Sequence, residues 1–320
     1  VSARDGVADG DWDSLLRGLG GHFLQSTAWQ RVQLALGHEI LWERGESWLW
    51  AGAVRSGRFP RYLYVPYGPT AAAGSTAAAL VNSRQAGIAG NLDFIRVEPV
   101  GADAAAALTE TGALSTKSIQ PPTTWLLELA DEEQMRSGLS AGHRGSINAA
   151  TRRGVSVRST TNPADIDVYL AINEKARQRR GFQGQSDRYH RIVATTLMPI
   201  GASRLYVAEA GAVPVAAAIC FDFADTRYYA SAVSDPVLGR RAGAAVPLVW
   251  RMILDARTAG RRYFDFWGIA PDDDAAHPWA GFTQFKKAFG GHPVQRAGTW
   301  DLPVRALRYR AYRAARHMRR

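Results

Sequence analysis

The chain predicts an α+β fold made of two similarly ordered modules. Three observations carry this. In the second half, runs at 203–210, 215–223 and 226–232 follow one another with only short turns between them, as antiparallel neighbours do. Helical stretches flank these runs, and the first half repeats a shorter version of the same order. The chain has 320 residues, 46% hydrophobic, with ten tryptophans. That is enough for one large or two medium domains with a substantial core.

The elements follow in order. Asp11 or Asp13 is placed to cap a short helix at Leu15 and Leu16, and Thr27 to cap a helix carrying Trp29, Val32 and Leu36. Residues 48–54 and 62–66 read as strands, joined through Gly57 and Pro60. An Ala-rich helix over 76–87, a strand over 92–97, a helix over 102–111 stopped by Gly112, and a strand over 124–129 complete the first half. Asp131 opens a helical region whose segment 144–153 ends at Gly154, a left-handed stop. A strand over 155–158 follows. Asn162 then caps a helix with Pro163 in its first turn, running to about Arg180. After the three neighbouring strands come a helix over 244–258, a strand over 262–267, a loop, a helix holding Phe285, and a last strand over 298–302.

Composition removes several classes. Cys220 is the one cysteine and lies in an apolar run, so a disulfide framework is excluded and a buried, inert thiol is expected. Seven scattered histidines offer no metal-ligand spacing, so no metal is expected. No apolar run approaches bilayer length. Residues 1–5 lack a basic-then-apolar secretion pattern, and a cytoplasmic protein is expected. The net charge of +10 fits a polyanionic partner, or an Arg- and Ala-rich drift of composition. Residues 305–320 carry seven arginines and no acid, interleaved with Leu307, Tyr309, Tyr312 and Met318. They read as a basic helix, either solvated or set against nucleic acid or an anionic membrane.

The most informative stretch is Tyr263-Phe264-Asp265-Phe266-Trp267-Gly268, followed after a polar loop by Gly281-Phe282-Thr283-Gln284-Phe285-Lys286-Lys287-Ala288-Phe289-Gly290. A lysine among aromatic rings is a phosphate partner or a cation placed at developing negative charge. Other segments stand in order before it: Phe23-Leu24-Gln25-Ser26 with Trp29, Tyr64-Val65-Pro66-Tyr67-Gly68-Pro69, Arg96-Val97-Glu98-Pro99, Ile119-Gln120-Pro121 with Thr124, and Arg144 with Ile147 and Ala150. Together they resemble the FemABX family, the aminoacyl-tRNA-dependent peptidyltransferases that extend peptidoglycan precursors.

That resemblance implies two tandem GNAT-like modules with mixed sheets. The first covers 1–142 plus 303–320 and the second 143–302. No charged heptad insertion is present, so no coiled-coil arm is expected. It implies aminoacyl-tRNA as donor substrate, with no separate cofactor, and a monomer acting on a peptide acceptor: a UDP-muramyl peptide, lipid II or a small natural-product peptide. It implies Lys286 as the transition-state cation and Phe285 as its packing partner. Asp265, inside an apolar strand, needs a partner: Lys286, a substrate amine, or backbone and Arg. Tyr67, Tyr229 and Trp267 are expected at the acceptor, with Tyr229 facing the site.

Two cations that grip a diphosphate in UDP-muropeptide-using members are replaced here by Gln33 and Gln185, with Arg31, Arg179, Arg180 and Arg188 nearby. A different acceptor gains weight from this. Lys287, Arg305, Arg308, Arg313 and Arg316 are the expected tRNA contacts. A competing signal is Arg240-Arg241-Ala242-Gly243-Ala244-Ala245, which matches the R-x-x-G-x-A loop of CoA-dependent GNAT enzymes and sits before a helix. In that reading the donor is an acyl-CoA.

Overall fold

The structure, a computed structural model, describes residues 6–8, 10–57, 59–101, 103–180, 184–271 and 276–318. The chain opens with α1 (Trp12–Gly18) and α2 (Thr27–Ala35). The cap of α2 is Ser26, whose hydroxyl accepts from Trp29 N at 3.2 Å; Thr27 is instead its first residue and bonds Asp13. Strands β1 (Ile40–Arg44), β2 (Trp48–Ser56), β3 (Arg61–Val65) and β4 (Thr70–Ala71) follow, then α3 (Thr76–Ala89), β5 (Phe94–Val97), α4 (Ala104–Glu110) and β6 (Leu114–Ser115).

Next come β7 (Thr123–Glu128), α5 (Glu132–Gly138), α6 (Ala141–Arg152), β8 (Val155–Thr160), α7 (Ile166–Arg180) and α8 (Asp187–Leu197). Gly154 has φ 71 and ends α6 as its position suggests. Asn162 does cap through its side chain, but onto a single 3₁₀ turn that leads into α7. The hairpin strands are β9 (Ser203–Ala210), β10 (Val213–Phe223) and β11 (Thr226–Ser234). They lead into α9 (Leu238–Ala242), α10 (Ala245–Thr258), β12 (Tyr263–Gly268), α11 (Ala280–Lys287), β13 (His292–Gln295), β14 (Trp300–Pro303) and α12 (Ala306–Met318).

The chain divides into two compact units, residues 1–122 with 295–320, and residues 123–294. Among the described residues each holds one seven-stranded sheet. The first runs β1-β2-β3-β5-β14-β6 with β4 on β2, and the second β13-β7-β12-β11-β10-β9-β8. The divisions at 142 and 302 therefore shift. β7 pairs antiparallel with β12, placing Leu127 opposite Phe264, so it belongs to the second sheet. β14 inserts antiparallel beside β5, with Asp301 opposite Arg96, so it belongs to the first. Strand pairing over long sequence separation decides this, and local pattern does not encode it.

The first core packs Trp50, Leu63, Val65, Leu80, Ile95, Val97 and Leu302. The second packs Trp125, Leu127, Tyr206, Ala218, Cys220, Met252, Ile253, Phe264, Phe266 and Phe289. Cys220 is fully buried, and burial pushes its thiol up to about 12, so it stays protonated. Arg227 crosses the second core as a bidentate partner of Asp222, 2.7 Å on both arms, and also reaches Tyr206.

Candidate functional site

In the second unit the site grows from a break in β12. Parallel pairing with β11 covers Thr226–Tyr228 against Tyr263–Asp265. On the other side, against β7, the register is irregular between Asp265 and Gly268. Trp267 sits at φ 64, a conformation bulky residues rarely hold. The buried Asp265 braces it, since its Oδ1 accepts from Trp267 N at 2.7 Å. A carboxylate on the backbone N–H two residues ahead makes a tight turn in mid-strand. Asp265 thus has a backbone partner, and its charge also acts on Lys286.

The turn presents the Gly268 carbonyl, and Lys286 Nζ from α11 donates to it. Burial lowers the Lys286 ammonium from 10.5 to about 8, while the negative charge of Asp265 acts in the opposite direction. The aromatic surroundings have a definite order. Phe285 meets Phe289 edge-on at 5.3 Å, and Phe289 lies 5.4 Å from Phe266. His143 of α6 packs on Phe289 at 4.5 Å and bonds the Phe285 carbonyl at 3.1 Å. Burial depresses the His143 pKa, and the Phe285 carbonyl opposes this. Thr283 Oγ1 accepts from Ala270 N at 2.8 Å, which ties α11 to the end of the strand. Thr124 Oγ1, opposite Gly268 on β7, is buried with no hydrogen-bond partner among the described residues.

The sequence-derived residues fall into place unevenly. Lys286, Phe285, Asp265 and Trp267 come together. Tyr229 does not face this site. It lies 6.4 Å from Phe264 and 6.3 Å from Phe266, packed against the core, and burial raises its hydroxyl pKa. Its neighbour Tyr228, pointing to the opposite face of β11, is the ring beside Trp267, at 6.1 Å. Lys287 lies over the Trp125 ring at 5.3 Å. Gln185 is exposed ahead of α8; Arg180 is at the end of α7, with its side chain outside the described residues. Of the competing loop, Arg240–Ala242 end α9. Gly243, at φ 68, then turns the chain into α10, whose cap position Ala244 offers no side-chain bond.

The first-unit motifs converge on a braced node. Glu98, 2% exposed, accepts from Tyr64 OH at 2.9 Å, Tyr67 N at 3.3 Å, Gln120 N at 2.9 Å and Thr299 Oγ1 at 2.6 Å. Gln25 bonds Ala51 N and O at 2.8 and 3.0 Å and Pro66 O at 2.7 Å. A Cβ on Gly68 would stand 2.6 Å from the Gln25 amide carbon, so only glycine fits. Tyr67, at φ 44, is held between His22, 4.3 Å away, and the Arg296 guanidinium 4.7 Å over its ring. Burial, with Arg296 adding to it, keeps His22 well below its ordinary pKa.

Arg31 is exposed on α2. Gln33 is buried, and Arg55 of β2 donates to it at 3.2 Å. Arg55 therefore sets a cation beside a position where the sequence shows only an amide, from 22 residues further along the chain. Arg308 is engaged with Asp93, while Arg313 and Arg316 line a pocket described below. Arg305 donates its backbone N–H to Asp93 O at 3.0 Å. Arg319 and Arg320 lie outside the described residues. Among the described residues no group of three or more His, Cys, Asp or Glu is placed to hold a metal ion, and no helix is long and apolar enough to cross a membrane.

The model of the FemAB family matches residues 200–317. A search of curated proteins finds no match. Among solved structures, FemX superposes with a TM-score of 0.83 at 15% identity, covering 97% of this chain and 99% of that one. The C-terminal domain (DUF2156) of a putative lysylphosphatidylglycerol synthetase from Agrobacterium fabrum gives 0.63 at 10% identity, covering 94% and 95%. A tandem GNAT protein from the clavulanic acid biosynthesis pathway gives 0.53 at 14%, covering 95% and 99%. At these identities the structural likeness speaks for the fold, and the family match supports a transferase of the peptidyltransferase type. The resemblance read from the sequence holds: residues 200–317 match the FemAB family, and the chain as a whole has the α+β fold of FemX and of tandem GNAT proteins.

Proposed function

We propose that the protein is a cytoplasmic, monomeric aminoacyltransferase that moves an amino acid from aminoacyl-tRNA to the amine of a peptide acceptor. The acceptor is a peptidoglycan precursor or a peptide natural product. The observation that carries this reading is Lys286: a desolvated ammonium, lowered to about 8, fixed to the Gly268 carbonyl at a strained turn in a FemAB-matching segment. Perturbed lysines in such settings concentrate at functional sites.

The reaction is ester aminolysis. The neutral acceptor amine attacks the ester carbonyl, and the new C–N bond forms as negative charge builds on the carbonyl oxygen. The C–O bond to the tRNA ribose then breaks, and the proton shed by the amine ends on the ribose oxygen. The donor ester is already activated, so no separate cofactor is needed. Lys286 supplies positive charge to the oxyanion, in surroundings where a charge acts more strongly than in water. Phe285 and Phe289 shield it, and Asp265 sets the turn that aims it. In the second unit, Trp267 and Gln185 serve the acceptor. Lys287 in the second unit and Arg305, Arg308, Arg313 and Arg316 in the first are the proposed contacts for tRNA phosphates.

The test is Lys286→Ala in a transfer assay. Turnover should fall about 10²–10³-fold, the scale of losing one oxyanion donor, with acceptor affinity unchanged within a few-fold. Unimpaired turnover would remove Lys286 from the chemistry.

A further inference from the structure

In the first unit, a cavity of ≈160 Å³ lies between α12 and the end of β6, lined by Ser115, Thr116, Lys117, Asp301, Tyr309, Tyr312, Arg313 and Arg316. That is smaller than the roughly 300–1,000 Å³ of sites enclosing a drug-sized molecule, and it suits one small group. The helix contributes positions 309, 312, 313 and 316, spaced to share one face.

The charge of Asp301 is already answered. Its Oδ1 accepts from Arg96 Nε at 2.7 Å, and its Oδ2 accepts from Arg96 Nη2 at 2.8 Å and from Tyr309 OH at 3.0 Å. Arg96 itself lies against the stacked Tyr62 and Phe94 rings, 5.2 and 5.1 Å from their centroids. Three cations remain: Lys117, Arg313 and Arg316. Among the described residues none of them has a carboxylate within ion-pair reach. Arg316 is held in place, since its Nη1 donates to Thr116 Oγ1 at 2.9 Å. Hydroxyls of Ser115 and Thr116 complete a wall of donors. Like charges gathered in a concave, hydroxyl-lined space repel one another until an anion occupies it.

We propose that this pocket binds a phosphate monoester. Three positive charges around a small cavity match a dianion better than the single charge of a phosphodiester. Guanidinium forks complement phosphate oxygens, and lysine adds a point charge. Two sources present that group: the 5′-terminal phosphate of the tRNA donor, a source that rests on the function proposed above, and a free phosphorylated small molecule.

The experiment is calorimetric titration of the full chain with ribose 5-phosphate, with dimethyl phosphate as the diester comparison. Saturable binding of ribose 5-phosphate is expected, at least about tenfold tighter than the diester. Arg313→Ala and, separately, Lys117→Ala should each weaken it about tenfold or more. Arg251→Ala, in the other unit, should leave it unchanged. The proposal is overturned by an absence of saturable binding, by equal affinity for the diester, or by full affinity in both pocket variants. Stronger displacement by phosphatidylglycerol vesicles than by inorganic phosphate would likewise overturn it, in favour of a lipid surface. Competition by 5′-phosphorylated but not dephosphorylated tRNA assigns the site to the RNA end; failure of both assigns it to a free metabolite, and in either case the monoester site stands. Binding is read without transfer, so an inactive preparation does not bear on the result.

Discussion

Replacing Lys286 with methionine should make the protein more stable and less active at once. The side chain is held where its charge is disfavoured: its ammonium is lowered from 10.5 to about 8. At ~1.36 kcal/mol per unit, keeping it charged in the fold costs about 3 kcal/mol. The sign follows from proton counts. Between pH 8 and 10.5 the unfolded chain holds a proton on this lysine that the folded chain does not, so stability rises with pH there. Below pH 8 the cost is present in full. Lys286→Met removes the cost and forfeits the bond to Gly268 O, worth about 1 kcal/mol. The variant should therefore be about 2 kcal/mol more stable at pH 7, and the advantage should vanish by about pH 10. Urea melts of both proteins at pH 7 and pH 10 measure this. A variant less stable by the same margin at both pH values would refute the claim that Lys286 is a desolvated cation.

Three further outcomes follow from the same geometry. Transfer by the wild-type enzyme should decline as pH rises through about 8, where Lys286 loses its proton; a rate that keeps rising to pH 10 would speak against a cationic role. Asp265→Asn removes the charge that supports the Lys286 proton, so the alkaline decline should move to lower pH, read from the pH profile of turnover. Glu98→Gln places an amide against donors that all need an acceptor, and should cost about 2–3 kcal/mol in urea melts; an unchanged midpoint would mean the node does not brace Tyr67.

Much of this was legible in the sequence because local rules carry it. The hairpin strands after Ser203, the stop at Gly154 and the helix ending at Thr258 follow from successive runs with short turns, a left-handed glycine and a helical stretch. The Trp267 and Lys286 segments could be linked because both lie in one ordered signature. What escaped depended on contacts distant in sequence. Nothing local places Trp300–Pro303 beside Phe94–Val97, or Thr123–Glu128 beside β12. Tyr229 and Tyr228 are adjacent and point to opposite faces, and only the pairing of β11 with β12 shows which ring meets Trp267. Arg55 reaches Gln33 across 22 residues. The motif residues Gln25, Gly68 and Glu98 carry the family resemblance in the sequence, and only the fold shows that they hold the backbone around Tyr67.

The central claim, a tRNA-borne donor, is tested most directly by supplying the purified protein with mixed radiolabelled aminoacyl-tRNAs. The acceptors would be a UDP-muramyl pentapeptide, a lipid II analogue and a panel of short peptides, each with and without RNase. The account predicts acceptor labelling that RNase abolishes. Acylation of the same acceptors from acetyl-CoA, with none from any tRNA, would contradict it and return the donor site to the loop at Arg240.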